Sequence, residues 1–582
     1  MTSEVGRLEV ADYVVVVGYF VLILAVGAYF YRHMKGIKDF FAGGNRIPWW
    51  LSGVSFYMSA FSVFAFVSYS TLAYRYGWVA VTLFWSSVPG VGVSVLFFAG
   101  RWRRARIDSP VEYLEARYDR LVRQLFAWEG LPVRVVDDAL KLAAISLFIS
   151  SAGLGLSKET CLWGSGLIML AYTFMGGLWA VVVTDFIQFV VMAVAVVVLV
   201  PLALMKAGGV AAAWSGAGQG FFRLTHPPEY DAVYVAGYIL LVTLAYSSIN
   251  WSLVQRYYCV PSERDAKKVG LLVMALYSIG PPLILLPAML APQFITVAEG
   301  EEVYARLCLL LLPAGMMGLI IAAMFAATMS MLSSDYNVCA AVLTNDVYRR
   351  LVRPRASQRE LLIAGRLLTL LVGLLTICVA SLMLTLTGEG LFRNMVRLFG
   401  IFTAPVAVPM LLGLLWPRGN KNGALAGLVA GVGVGLSLFF ALDDQATLAG
   451  VLLKKETALL LATTLATGAT MVVASLALPA GPAEQRRAEQ FIQRLRVPIG
   501  ELEEDRAVES ETGTRDITPL GVVGVSVMLI GLLMLSVLPY AGDGVTFWMN
   551  LSIPIVLIAV GAFAAWSSHA ASRAAVEEQP RG

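Results

Sequence analysis

The stretch that decides the fold is Ala327–Asn337, ATMSMLSSDYN, which lies within a long apolar run near the middle of the chain. A lipid-spanning helix normally excludes hydroxyls and carboxylates, because an unsatisfied polar group in hydrocarbon costs several kcal/mol. Here Ser330, Ser333, Ser334 and Asp335 fall within little more than one helical turn. Ionisable groups at that depth mark a substrate or ion pathway. The stretch therefore predicts a helix lining a polar route through a bilayer.

Outward from it, the whole chain shares the apolar character. Of 582 residues, 58% are hydrophobic and 14% charged, and the mean hydropathy is +0.75. Apolar runs of about 20 residues, long enough to cross a hydrocarbon core as a helix, recur along nearly the whole sequence. The expected fold is an all-α polytopic membrane protein with about fifteen transmembrane spans. The net charge of +4 points to no nucleic-acid partner, because the cations sit in particular loops. Cys161, Cys259, Cys308, Cys339 and Cys378 form no CxxC pair or regular spacing and read as buried thiols. His33, His226 and His569 fall in loops or the tail. That speaks against histidine-based metal or acid–base chemistry at membrane depth, and against an enzyme.

Loop cations set the expected orientation. Lys and Arg counted over alternate connections give roughly 30 on one side and roughly 8 on the other. The heaviest clusters are Arg101–Arg106 (RWRRAR), Arg349–Arg366 and Arg486–Arg496. The positive-inside rule then predicts an external N-terminus and a cytoplasmic C-terminus. No basic n-region or cleavage site precedes the first span, so it is expected to be retained. The compact loops suit a bacterial inner membrane, with the lipid bilayer as partner; no residue pattern sets an oligomeric state. Residues 206–232 read as an exterior loop. Residues 479–516 read as a charged, solvated cytoplasmic linker ahead of a terminal hairpin over 517–582.

Small polar residues concentrate in two further spans. Ser55, Ser59, Ser62, Ser68 and Ser70 interrupt the second, and Thr243, Tyr246, Ser247, Ser248, Asn250 and Ser252 the seventh. Hydroxyls satisfy backbone groups freed where a membrane helix unwinds, and the unwound carbonyls become cation ligands. The competing reading is close helix packing through small side chains. Each serine-rich span opens a set of five, over residues 49–205 and 233–416. That pattern points to two inverted repeats around a midplane site. Residues 1–48 hold the first span and an inner loop, and 417–478 hold additional flanking spans. The fourth span carries Arg134 one turn from Asp138, and Asp137 one turn from Lys141, so two local ion pairs are expected. Arg393 and Arg397 open the eleventh span and read either as snorkelling cations or as attractors of an anionic solute.

Several separated motifs resemble those of the sodium:solute symporter family. They are Asp39–Trp50 (DFFAGGNRIPWW), Ser109–Tyr118 (SPVEYLEARY), Gly176–Gln188 (GGLWAVVVTDFIQ), Gln255–Arg256, the serine stretch through Asp346–Tyr348, and Leu412–Gly427 (LGLLWPRGNKNGALAG). The resemblance implies a LeuT-type core of two inverted five-helix repeats with flanking helices. It implies uptake of a small organic solute together with sodium by alternating access, with sodium as the co-transported ion and no organic cofactor.

It also implies site residues. The main sodium site would use carbonyls near Met58 and Phe61, the carbonyl of Ala327 and the hydroxyl of Ser330. Where the family usually adds a second Ser or Thr, this chain has Met331, a thioether and a poor ligand for a hard cation. Asp335 lies one turn further on; with Ser334 and Asp185 it marks a candidate second ion site or proton route. Candidate solute-pocket residues are Phe64, Phe84, Trp85, Thr243, Tyr246 and Asn250. Polar groups of the family's sugar carriers are replaced here by Phe84, Thr243 and Val396. A small organic acid, an amino acid or a betaine-like solute is therefore expected over a hexose. Two alternatives stay open at this point: a proton-coupled symporter of the same fold, or a membrane sensor or transceptor.

Overall fold

Short polar residues start many of the helices. Asp119, Asp231, Ser262 and Asn420 each stand in extended backbone just before a helix and accept a hydrogen bond from the N–H three residues on, the geometry of an N-cap. A computed structural model describes residues 8–33, 45–60, 62–107, 110–173, 178–216, 220–313, 315–385, 391–448, 451–502, 505, 519–536, 538–540 and 544–577. Phe61 lies outside the described residues, as do the side chains of Ala327, Ser330 and Ser334.

The chain opens with α1 (Val10–His33), followed by α2 (Trp49–Ser59) and α3 (Ser70–Tyr76). Next come α4 (Val79–Arg104), α5 (Pro110–Arg117), α6 (Arg120–Ser151), α7 (Lys158–Tyr172), α8 (Leu178–Lys206) and α9 (Val210–Gly216). The second half of the core comprises α10 (Ala232–Leu244), α11 (Trp251–Tyr258), α12 (Glu263–Leu290), α13 (Val303–Leu311), α14 (Met316–Val342), α15 (Gln358–Thr385) and α16 (Leu391–Leu415). After α17 (Lys421–Ala441), an antiparallel hairpin pairs β1 (Gln445–Leu448) with β2 (Val451–Lys454). The chain then runs through α18 (Lys455–Ala477), α19 (Pro482–Arg496), α20 (Pro519–Leu535) and α21 (Val545–Glu577).

Among the described residues, ten helical stretches are by themselves long and apolar enough to cross a membrane. The other expected spans fall on helices that miss this standard for visible reasons. The segment from α2 to α3 is broken. α6 carries charges and an internal Pro132. α7 and α20 have only 15 and 17 residues. α14 turns polar after Phe325.

The core helices pack in two groups. In one, α2 and α4 both pack on α11 and α12, and α10 joins through α4; in the other, α6, α7, α14 and α15 lie against one another, with α8 touching both α2 and α14. α16 packs on α17 and α18 and also against α6 and α10, and its Met395 and Phe399 line the cavity described below. The basic loops gather at one end. There Arg103 reaches the carbonyls of Val260 and Pro261, and Arg117 those of Gly413, Trp416 and Gly419. The described start of the connection after α18, expected to be a solvated linker, holds a helix. α19 buries Ala488, Phe491 and Leu495, and Phe491 stacks on Tyr113 of α5. In the terminal hairpin, a Cβ at Gly524 would lie 2.5 Å from the Ala565 nitrogen. α20 and α21 therefore meet backbone to backbone, the packing that small residues permit where lipid supplies no hydrophobic drive.

Candidate functional site

Two helix interruptions face a common cavity. α2 stops at Ser59, and after Ala60 and Ser62 the chain resumes through a wide π-helical turn at Ala65–Tyr69 before α3. α10 likewise widens into a π-helical turn at Ala245–Ile249 and breaks at Asn250, with ψ 89°, before α11. The sequence provides for the second break. Ser248 donates to the Leu244 carbonyl at 2.7 Å, and the Asn250 side chain caps α11 by accepting from Leu253 N–H. Ala60 and Ser62 from one break, and Ile249, Asn250 and Trp251 from the other, line a cavity of about 170 Å³.

The adjoining wall is charged. It comes from Arg134, Asp137 and Lys141 of α6 and from Met331 and Asp335 of α14. Arg134 pairs with Asp335 at 2.9 Å, donates to the Ile249 carbonyl at 3.3 Å and stacks over the Trp251 ring at 3.8 Å. Lys141 lies 2.7 Å from Asp137 and 3.4 Å from Asp138. The expected Asp137–Lys141 pair is present, but the Arg134 guanidinium turns from Asp138 toward α14. Carboxylate oxygens of Asp137, Asp138 and Asp335 all lie within 4.8 Å of one another. Two cationic side chains thus face three carboxylates, a formal negative excess whose field favours a cation.

Aromatic groups make another part of the lining, Tyr69 and Tyr238 among them. The Tyr69 and Tyr238 hydroxyls are 2.6 Å apart, and both rings lie against Phe392. Beyond them Arg397 pairs with Glu456 and Asp444 at 3.0 and 2.6 Å, and Arg393 with Glu229 at 3.5 Å. Arg393 and Arg397 are held in ion pairs, not left to snorkel. Toward the basic end the lining runs to Phe126 and Glu129 near the start of α6.

The sequence-derived residues separate into three places. Phe64, Phe84, Tyr246, Asn250 and Asp335 line the cavity together. Trp85 and Thr243 are absent from its lining: the Trp85 indole donates to the Ser278 carbonyl at 3.0 Å, and the Thr243 hydroxyl donates to Ile239 in its own helix at 2.7 Å. Met58 is buried at the last turn of α2, and Ala327, Ser330 and Ser334 lie on α14. Asp185 stands apart in a second buried network. It accepts from the Ser55 hydroxyl at 2.5 Å and lies 3.7 Å from the Arg256 guanidinium, which also donates to Ser55 and Ser59. That network ties α8 to α2 and α11. Sequence reasoning singled out neither Glu129 nor Trp251, since one lies outside the apolar run and the other reads as an ordinary interface aromatic.

Comparison with known proteins agrees with this geometry. The model of the sodium:solute symporter family matches residues 40–431, leaving α1 and everything after Gly431 outside the match. The sodium/sialic acid symporter NanT of Aliivibrio fischeri is 28% identical over 453 residues, covering 74% of this chain and 88% of NanT. The sodium/glucose cotransporter of Vibrio parahaemolyticus is 27% identical, over 76% of this chain and 87% of its own. The human sodium/iodide cotransporter is 29% identical, over 70% and 65%. A solved structure of a Na+-coupled sialic acid symporter, substrate-bound and outward-open, shares the fold with a TM-score of 0.67 at 22% identity, over 81% of this chain and 98% of that one. Broken helices around one cavity, a polar stretch of α14 in its wall and a family match over most of the chain lead to one conclusion: this chain belongs to the sodium:solute symporter family of sodium-coupled secondary transporters.

Proposed function

We propose that the cavity between the two helix breaks binds sodium and a small organic solute, and that the chain carries both inward by alternating access. The observation that carries the reading is the pairing of the breaks: Ser62 and Asn250 line one cavity although they come from separate helices. On this reading residues 49–205 and 233–416 are inverted repeats, all of about fifteen expected stretches cross the bilayer, and the basic end is cytoplasmic. Sodium would sit between the carbonyls of Met58, Phe61 and Ala327 and the hydroxyl of Ser330. Met331 costs the site one oxygen. The carboxylates of Asp137, Asp138 and Asp335 offset that loss at range, since charges act further in a low-dielectric interior. The family and its relatives support sodium over protons as the driving ion, and transport over sensing.

The solutes for which the relatives are named run from sialic acid to glucose and iodide. An aromatic lining with Arg134 and its carboxylates on one wall suits a small organic acid, an amino acid or a betaine better than a hexose, which needs many neutral donors and acceptors. The test is thermal unfolding of the purified protein against a panel of those solutes, with hexoses for contrast, in sodium and in choline at equal ionic strength. A bound ligand raises the midpoint by mass action. The expected outcome is stabilisation by a carboxylate or zwitterion in sodium alone. Stabilisation by hexoses only would refute the solute class, and equal stabilisation in choline would refute sodium coupling.

A further inference from the structure

The ion-lining helix α14 begins without a cap of its own. Its N-cap is Gly315, in left-handed backbone at φ 85°, which offers no side chain. The N–H groups of Gly315 and Gly318 are instead taken by Oδ1 of Asp12, at 3.0 and 2.8 Å, from the first turn of α1. The same carboxylate accepts Glu9 N–H through Oδ2 at 3.0 Å. It therefore caps two helix N-termini at once and is itself only 3% exposed. Two further contacts fix α1 on α14. A Cβ at Gly318 would lie 2.2 Å from the Asp12 carbonyl oxygen, so the backbones touch. About two turns deeper, Phe20 meets Phe325 edge to face at 5.2 Å.

We infer that Asp12 is a positioning residue for sodium binding. It sets the height and rotation of α14, so that the Ala327–Ser330 turn meets the break after α2. The inference rests on the sodium site proposed above. From Gly318 to Ser330 is roughly 18 Å along a rigid helix, so a shift at the cap reaches the ligands undiminished, and a site tolerates only about half an ångström of error. α1 precedes residues 40–431, which the family model matches.

The test uses the full-length protein in detergent and needs no solute: half-saturating sodium is read from the unfolding midpoint against choline, for wild type, Asp12→Ala, Asp12→Glu, Asp12→Asn and Ser330→Ala. Asp12→Ala should raise half-saturating sodium roughly three- to tenfold, the size of one lost cap. Asp12→Glu keeps the charge but moves it by one methylene and should raise it as well. Asp12→Asn keeps an acceptor and should fall nearer wild type. If Asp12→Ala does not fold, the ordering of Glu and Asn against wild type decides. Unchanged half-saturation in the folded Ala or Glu variant, with Ser330→Ala losing the response, overturns the role of Asp12 alone. A sodium response retained in Ser330→Ala, or absent from wild type, overturns the underlying sodium site and this inference with it.

Discussion

Arg134 joins three parts of the cavity wall at once: the Asp335 carboxylate, the Ile249 carbonyl and the Trp251 ring. Asp335 was legible in the sequence because a carboxylate in an apolar run is costly without a purpose. Its partner was not, because spacing along one helix offers Asp138 and cannot show a residue two hundred positions away. Phe84 and Trp85 teach the same limit: neighbours on a helix point about 100° apart, and only Phe84 reaches the cavity. Thr243 is spent locally, on a bond to the turn before it. The buried Arg256–Asp185 pair, with both side chains at most 3% exposed, gives a residue-scale prediction. Arg256→Gln should destabilise by about 3–5 kcal/mol, because it strands a buried carboxylate. Arg256→Met combined with Asp185→Leu should recover most of that loss, since two well-packed apolar groups need no partners. Calorimetry or thermal unfolding in one detergent checks both, and equal losses in the single and double variants would contradict the account.

The connection after α18 marks the limit at the scale of elements. Its charges suggested a solvated linker, yet Ala488, Phe491 and Leu495 recur at helical spacing, a signal hidden by the polar residues around them. Beyond α19 the chain is held by Arg106. Its guanidinium takes both Asp505 oxygens at 2.9 Å and the Pro498 carbonyl at 2.8 Å, while Glu263 accepts Ile499 N–H at 3.0 Å. A strap thus joins α4, α5 and the start of α12 at the basic end. Burial opposes ionisation of Asp505, but the Arg106 guanidinium and the Gly500 N–H outweigh it and hold the carboxyl below its usual range. A depressed carboxyl contributes its full stabilisation above its unfolded value of about 4, and loses it as pH falls through the folded value. Hydrogen exchange in residues 482–502 should therefore stay slow at neutral pH and quicken below about pH 4, after correction for the intrinsic rate. Asp505→Asn should give fast exchange at every pH. Slow, pH-independent exchange in both proteins would contradict the clamp.

At the scale of the whole molecule, the sequence carried the class of fold and the two spans that break, because both follow from polar groups placed in apolar runs. The grouping of helices around the cavity, the Tyr69–Tyr238 pair and the Arg397–Glu456 pair depend on contacts between distant segments, which no local pattern encodes. The cavity draws its lining from both packed groups, with the Tyr69–Tyr238 hydroxyl pair in its wall. That arrangement suits a carrier whose groups rock about a fixed site. The most direct test of sodium-driven transport is charge movement in proteoliposomes on a solid-supported membrane, with jumps of small organic acids and amino acids in sodium, in choline and across a pH step. The account predicts a transient current that needs both a solute and sodium, and that vanishes in Ser330→Ala. A current that follows the pH step and ignores sodium would contradict it.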